Sequence, residues 1–133
     1  MTPRRESSGI EGTRRGESFI IRSEALVCPK CGFKTVPREK AADFSLRVAN
    51  AYRKAHGLLT SLEIKDLRSR LQMSQKQFAD FLQVGVASVK RWEVGEIQDA
   101  AMNRLMILAV AEALGGREPG RGMRRQHFRE QRP

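Results

Sequence analysis

Hydrophobic residues change rhythm along this chain, and each rhythm predicts an element. In residues 18–27, SFIIRSEALV, the side chains of Phe19, Ile21, Ala25 and Val27 fall on odd positions. A period of two predicts a strand with one buried face, bent near Ser23. Residues 34–36 suit a short returning strand. From Pro37 the period lengthens. Phe44, Val48, Tyr52 and Ala55 recur near helical spacing, interleaved with Arg38, Lys40, Arg47, Arg53 and Lys54. This predicts an amphipathic helix over roughly 38–56, opened by Pro37 and closed by Gly57. Thr60 with Glu63, and Ser74 with Gln77, have the spacing of capping boxes, in which side chains at a helix start satisfy its first amides. Ile64, Leu67 and Leu71 mark one face of the helix after the first box. Asp99 can cap a last helix over about 100–114. The middle of that helix, Leu105 to Ala111, is apolar nearly all round, so it is expected to bury two sides, one of them against a second subunit.

The ends have no such rhythm. Residues 1–17 are rich in Arg, Glu, Ser and Gly and are predicted to be disordered; residues 116–133 read as a basic disordered tail. The expected organisation is therefore a disordered N-terminus (1–17), a small β unit (18–36), a linker helix (37–57), a helical domain (58–115) and the tail (116–133). The expected fold class is mainly α.

Charge refines this picture. The chain of 133 residues carries a net charge of +10, which favours a polyanionic partner. Residues 1–57 hold 12 basic and 6 acidic side chains, residues 58–114 hold 7 of each, and residues 115–133 hold 6 and 2. The helical domain is balanced and the flanks are basic, so the flanks are expected to supply long-range attraction. No apolar run approaches the roughly 20 residues that span a bilayer. The N-terminus has no apolar core of a signal peptide. A cytoplasmic protein with reduced thiols is expected.

The densest signal is residues 74–95, SQKQFADFLQVGVASVKRWEVG. Phe78, Leu82, Val84, Val89 and Trp92 are spaced to pack two short helices at a steep angle, with small Ala79 where they cross. Gly95 stops the second helix. This is the layout of a helix-turn-helix, which sets its second helix into the major groove of DNA. Gln75, Lys76, Ser88, Lys90 and Arg91 fall on the open face. The set Ser74-Gln75, Phe78-Ala79, Leu82, Val86, Val89, Trp92-Glu93 and Gly95 resembles the phage-repressor or XRE-type helix-turn-helix family, over roughly residues 60–114. The resemblance implies a five-helix domain that binds operator DNA as a homodimer. It implies a phosphate contact at Gln75 and a recognition helix carrying Ala87, Ser88, Lys90 and Arg91. Arg91 is suited to bidentate reading of guanine, Lys90 to a base or a phosphate. Many members have glycine where this chain has Gln83, and Gly85 is expected to relieve the turn. Arg53 and Lys54 are expected to add sequence-independent attraction.

Cys28-Pro-Lys-Cys31-Gly32 is half of a zinc knuckle. Neither His56 nor His127 has the spacing to complete it. The readings that stay open are a turn kept without metal, a zinc ion shared between two chains, and a redox or other non-metal role or a missing upstream segment. The order strand, Cys-x-x-Cys-Gly, helix, helix-turn-helix is similar to the MqsA-type antitoxins. That resemblance implies an N-terminal module that grips a toxin and a C-terminal domain that represses the shared operon. Those antitoxins have an earlier Cys-x-x-Cys that this chain lacks, and commonly an asparagine where it has Ala87; Arg91 matches. No set of nucleophile and base stands out and no glycine loop cradles phosphate, so an enzyme is not expected. The sequence thus predicts a DNA-binding regulator, a repressor of a toxin–antitoxin-type operon. The alternative is an antitoxin whose N-terminal unit neutralises a partner toxin.

Overall fold

The computed structural model describes residues 2–115. The chain divides into two compact units, Met1–Gly57 and Leu58–Pro133.

The first unit is built on a long hairpin. Strand β1 (Arg4–Arg14) pairs antiparallel with β2 (Glu17–Val27), in register from Arg4↔Val27 to Arg14↔Glu17. The two-residue connection has both φ angles positive, 51° at Arg15 and 82° at Gly16. That turn hand matches the twist of the strands it joins. A short β3 (Lys34–Thr35) adds to the other edge through Leu26 and Val27, giving the order β1-β2-β3. Pro37 precedes a 3-10 turn at Arg38–Lys40, and helix α1 (Ala41–Ala55) follows.

One face of the sheet seats this helix. Ser8 and Gly12 on β1, and Ser23, Ala25 and Val27 on β2, are buried, as are Val48, Ala49 and Tyr52 on α1. Gly12 is the closest approach. A Cβ there would collide with Cγ2 of Val48 and lie 3.2 Å from the ring of Phe44. The predicted strand at 18–27 continues through Ser23 with its register to β1 unbroken.

Two expectations need correction. The segment 1–17, expected to be disordered, contains the 11 residues of β1, Arg4–Arg14. Their order comes from the backbone ladder to β2 and from small side chains under α1, neither of which leaves an apolar period in the sequence. The helix expected as a linker packs on this sheet and belongs to the first unit.

The second unit has four α-helices among the described residues: α2 (Ser61–Arg70), α3 (Gln75–Leu82), α4 (Val86–Val94) and α5 (Ala100–Ala113). Both expected capping boxes form, at Thr60/Glu63 and at Ser74/Gln77. The Asp99 side chain accepts from the Met102 N–H at 2.7 Å and caps α5. Ile64, Leu67, Phe78, Ala79, Leu82, Val89, Trp92, Met106 and Val110 make the core. A buried amide pair ties α5 to the segment before α2: Asn103 Oδ1 accepts from the Leu59 N–H (2.8 Å) and from Gln98 Nε2 (3.1 Å). Leu105 and Leu108 on α5 remain exposed. No described helix is long and apolar enough to cross a membrane.

The mainly α class with a five-helix reading domain is therefore overturned. The fifth α-helix among the described residues is α1, and it lies in a unit built on a three-stranded sheet with two strands of 11 residues each. Strands come first and helices after, an α+β arrangement.

Candidate nucleic-acid interface

Helices α3 and α4 form a tight pair. The Phe78, Ala79 and Leu82 side chains of α3 meet Val89 and Trp92 of α4 in the core, and Val84 packs half-buried at its edge. The bend between the helices falls at Gln83, whose backbone is left-handed (φ 61°, ψ 43°). The N–H of Val84 donates to the carbonyl of Ala79 at 2.9 Å, which closes the end of α3. Gly85 does not relieve the turn as expected. It is extended (φ −73°, ψ 147°), a conformation open to any residue, and stands at the start of α4. The strain sits on a residue with a Cβ.

Behind α4 lies an ionic anchor. Glu93 is 2% exposed, and both of its carboxylate oxygens are held. Arg68 of α2 donates from Nε to Oε2 (2.9 Å) and from Nη2 to Oε1 (3.0 Å), a bidentate fork. Arg68 Nη1 also donates to the Met73 carbonyl at 3.2 Å, and Gln75 Nε2 donates to Glu93 Oε1 at 3.0 Å. One carboxylate thus ties α2, α3 and α4 and fixes the roll of α4 about its axis. Arg68 is absent from the sequence-predicted set. Its only signal is an arginine in the last turn of α2, beside the buried Leu67.

The predicted site residues divide accordingly. Gln75, expected to hold a phosphate, is half-buried and uses its amide nitrogen on Glu93. Lys76 is exposed, with Nζ 3.4 Å from Asp80 Oδ2 in a pair open to solvent. Ala87, Lys90 and Arg91 are exposed on α4 at spacings i, i+3 and i+4, which places them on one face. Ser88 is half-buried beside them, and Arg91 Nη2 lies 3.5 Å from its Oγ. Arg91 Nε also contacts Glu96 Oε1 at 3.0 Å. Val94, one turn beyond Lys90, continues the face and is 72% exposed.

Arg53 cannot serve as a general phosphate contact. It is fully buried in the first unit, where Nη1 donates to Asn50 Oδ1 at 2.9 Å. Burial, with a smaller contribution from the charge of Arg14, pushes its pKa down to about 10. Lys54 is exposed.

The cysteine turn forms as a knuckle. The Cys28 N–H donates to the Phe33 carbonyl (2.8 Å) and the Gly32 N–H to the Cys28 carbonyl (2.9 Å). The Cys28 thiol is held below its ordinary pKa, first by the backbone N–H of Cys31, then by that of Lys30 and by the Cys31 side chain. Cys28 is half-buried and Cys31 exposed. Among the described residues no group of three or more His, Cys, Asp or Glu could hold a metal ion. The pair offers two thiolates where a closed zinc site takes four ligands. His56 pairs with Glu17 (Nε2–Oε2 2.7 Å), and His127 lies outside the described residues.

No protein-family model and no curated protein matches this chain.

Proposed function

We propose that this protein is a sequence-specific DNA-binding regulator whose helix α4 enters the major groove. The observation that carries this reading is the contrast between the two sides of α4. Its inner side, Val89, Trp92 and Glu93, is locked by the core and by Arg68. Its outer side carries Ala87, Lys90 and Arg91 exposed on one face. A short helix held rigidly, with two cations and a small residue outward, suits base edges and flanking phosphates. The resemblance of residues 74–95 to the XRE-type family supports the same reading. Exposed Leu105 and Leu108 on α5 support a homodimer, whose recognition helices would sit about 34 Å apart on a two-fold operator. Repression of a toxin–antitoxin-type operon is the biological setting favoured by the narrower resemblance of the strand, Cys-x-x-Cys-Gly, helix and helix-turn-helix order to the MqsA-type antitoxins.

A second reading, that the first unit grips a partner protein, is favoured by one feature. In a two-residue hairpin Arg14 and Glu17 exchange hydrogen bonds, so the backbone groups of Arg5, Ser7, Gly9, Glu11 and Thr13 point away from β2 along the sheet edge. Such an edge can accept a partner strand.

Selection from a random duplex library with the full chain tests the main reading. It should enrich a two-fold motif, and Arg91→Ala should relax one base pair in each half-site. Failure to enrich any motif would reject DNA reading. Co-purification with a small partner protein, lost on deletion of residues 4–14, would support the second reading.

A further inference from the structure

We propose that Glu96 is a positioning residue for base recognition: its carboxylate holds the Arg91 guanidinium through Nε, leaving the two terminal nitrogens to face a guanine edge. This rests on the DNA-reading proposal above. The contact is built at the end of α4. Gly95 has φ 130° and turns the chain back, so that the N–H groups of Gly95 (3.1 Å) and Glu96 (2.8 Å) both donate to the carbonyl of Arg91. Glu96 is thereby pinned by its backbone to the residue whose side chain it contacts. Its Oε1 lies 3.0 Å from Arg91 Nε. From the preceding turn, Ser88 Oγ lies 3.5 Å from Nη2, a long contact that gives way readily.

An arginine reads guanine through two parallel N–H bonds to O6 and N7. Held at Nε, the guanidinium can still present Nη1 and Nη2 as that fork. It also loses fewer rotamers on binding, since part of the ordering is already done in the free protein. The carboxylate has a second effect. It repels backbone phosphates, so the Arg91 cation is a poor general phosphate anchor and a better reader of a neutral base edge. A solvent-exposed pair of this kind contributes little to folding, so removing it leaves the fold intact and isolates the effect on reading.

The test uses the full chain and duplex pairs that differ only at the base pair relaxed by Arg91→Ala. Discrimination within each pair is measured at fixed salt for wild type, Glu96→Gln and Glu96→Ala. Glu96→Ala should lower discrimination at that base pair by about three- to ten-fold, part of what loss of the whole bidentate contact would cost, and leave discrimination at other positions unchanged. Glu96→Gln keeps an acceptor for Nε and should retain most of it. Uniformly tighter binding of every duplex with discrimination intact would show Glu96 to be only a repulsive charge and would overturn the proposal, as would no change. A wild type that discriminates while Glu96→Ala discriminates equally rejects this inference alone. A wild type with no base preference rejects the DNA reading and this inference with it.

Discussion

The Arg68–Glu93 anchor gives the most demanding test of how the second unit is held. Glu93→Ala would leave the Arg68 guanidinium with its bond to the Met73 carbonyl and would strip the Gln75 amide of its acceptor. Breaking a buried ion pair from one side costs about 3–5 kcal/mol, because the remaining charge stays desolvated. The Arg68 side chain is 22% exposed, so water can partly rehydrate it. The expected loss is about 2–4 kcal/mol, a large fraction of the roughly 5–15 kcal/mol that stabilises a typical domain. Trp92 is the only tryptophan and is buried one residue from Glu93, so its fluorescence in a urea titration reports this unit. The double variant Arg68→Met with Glu93→Leu removes both charges and should be more stable than Glu93→Ala alone. A Glu93→Ala unfolding free energy within about 0.5 kcal/mol of wild type, the range of an ordinary surface change, would refute the anchor. So would strict additivity of the two sites, since groups in direct contact are expected to couple.

Three further outcomes follow from local geometry. Gly12→Ala should destabilise the first unit by about 1–3 kcal/mol, because its Cβ meets Val48 and Phe44; an unchanged unfolding midpoint for that unit, followed by Tyr52 or by circular dichroism, would contradict the seating of α1 on β1. Gln83→Gly should stabilise the second unit by about 0.5–1 kcal/mol, since release of left-handed strain of about 1–2 kcal/mol outweighs the backbone entropy of glycine; a destabilised variant in the Trp92 assay would count against the left-handed turn. Cys28 should be alkylated with a pH midpoint below that of the same cysteine in the urea-unfolded chain, as its thiolate is stabilised by the Cys31 and Lys30 amides; peptide mass spectrometry across pH that placed the folded midpoint at or above the unfolded one would oppose this.

The helical half was legible in the sequence because its signals are local. Thr60 with Glu63, Ser74 with Gln77, and Asp99 each act on amides within one turn, and Phe78, Leu82, Val89 and Trp92 carry a helical period. In the sheet half β2, β3 and α1 were legible, through the alternation of Ala25 and Val27, the short run at 34–36 and the helical period of Phe44, Val48 and Tyr52, and β1 was not. β1 has Arg, Glu, Ser and Gly in place of alternating apolar residues, because its partners are the backbone of β2 and a helix that needs small side chains beneath it. The site shows the same division. Ala87, Lys90 and Arg91 could be placed on one face by counting residues. The roles of Arg68, Glu96 and the Gln75 amide could not, because each depends on a contact made only after the helices pack or the chain turns back at Gly95.

DNA reading as proposed requires the outer face of α4 to meet the duplex. Amide chemical-shift mapping of the isotope-labelled protein, titrated with a duplex enriched by selection, tests this most directly. The largest shifts should cluster at residues 74–77 and 85–94, with Lys90 and Arg91 among them. Shifts confined to the first unit, or absent throughout, would contradict it.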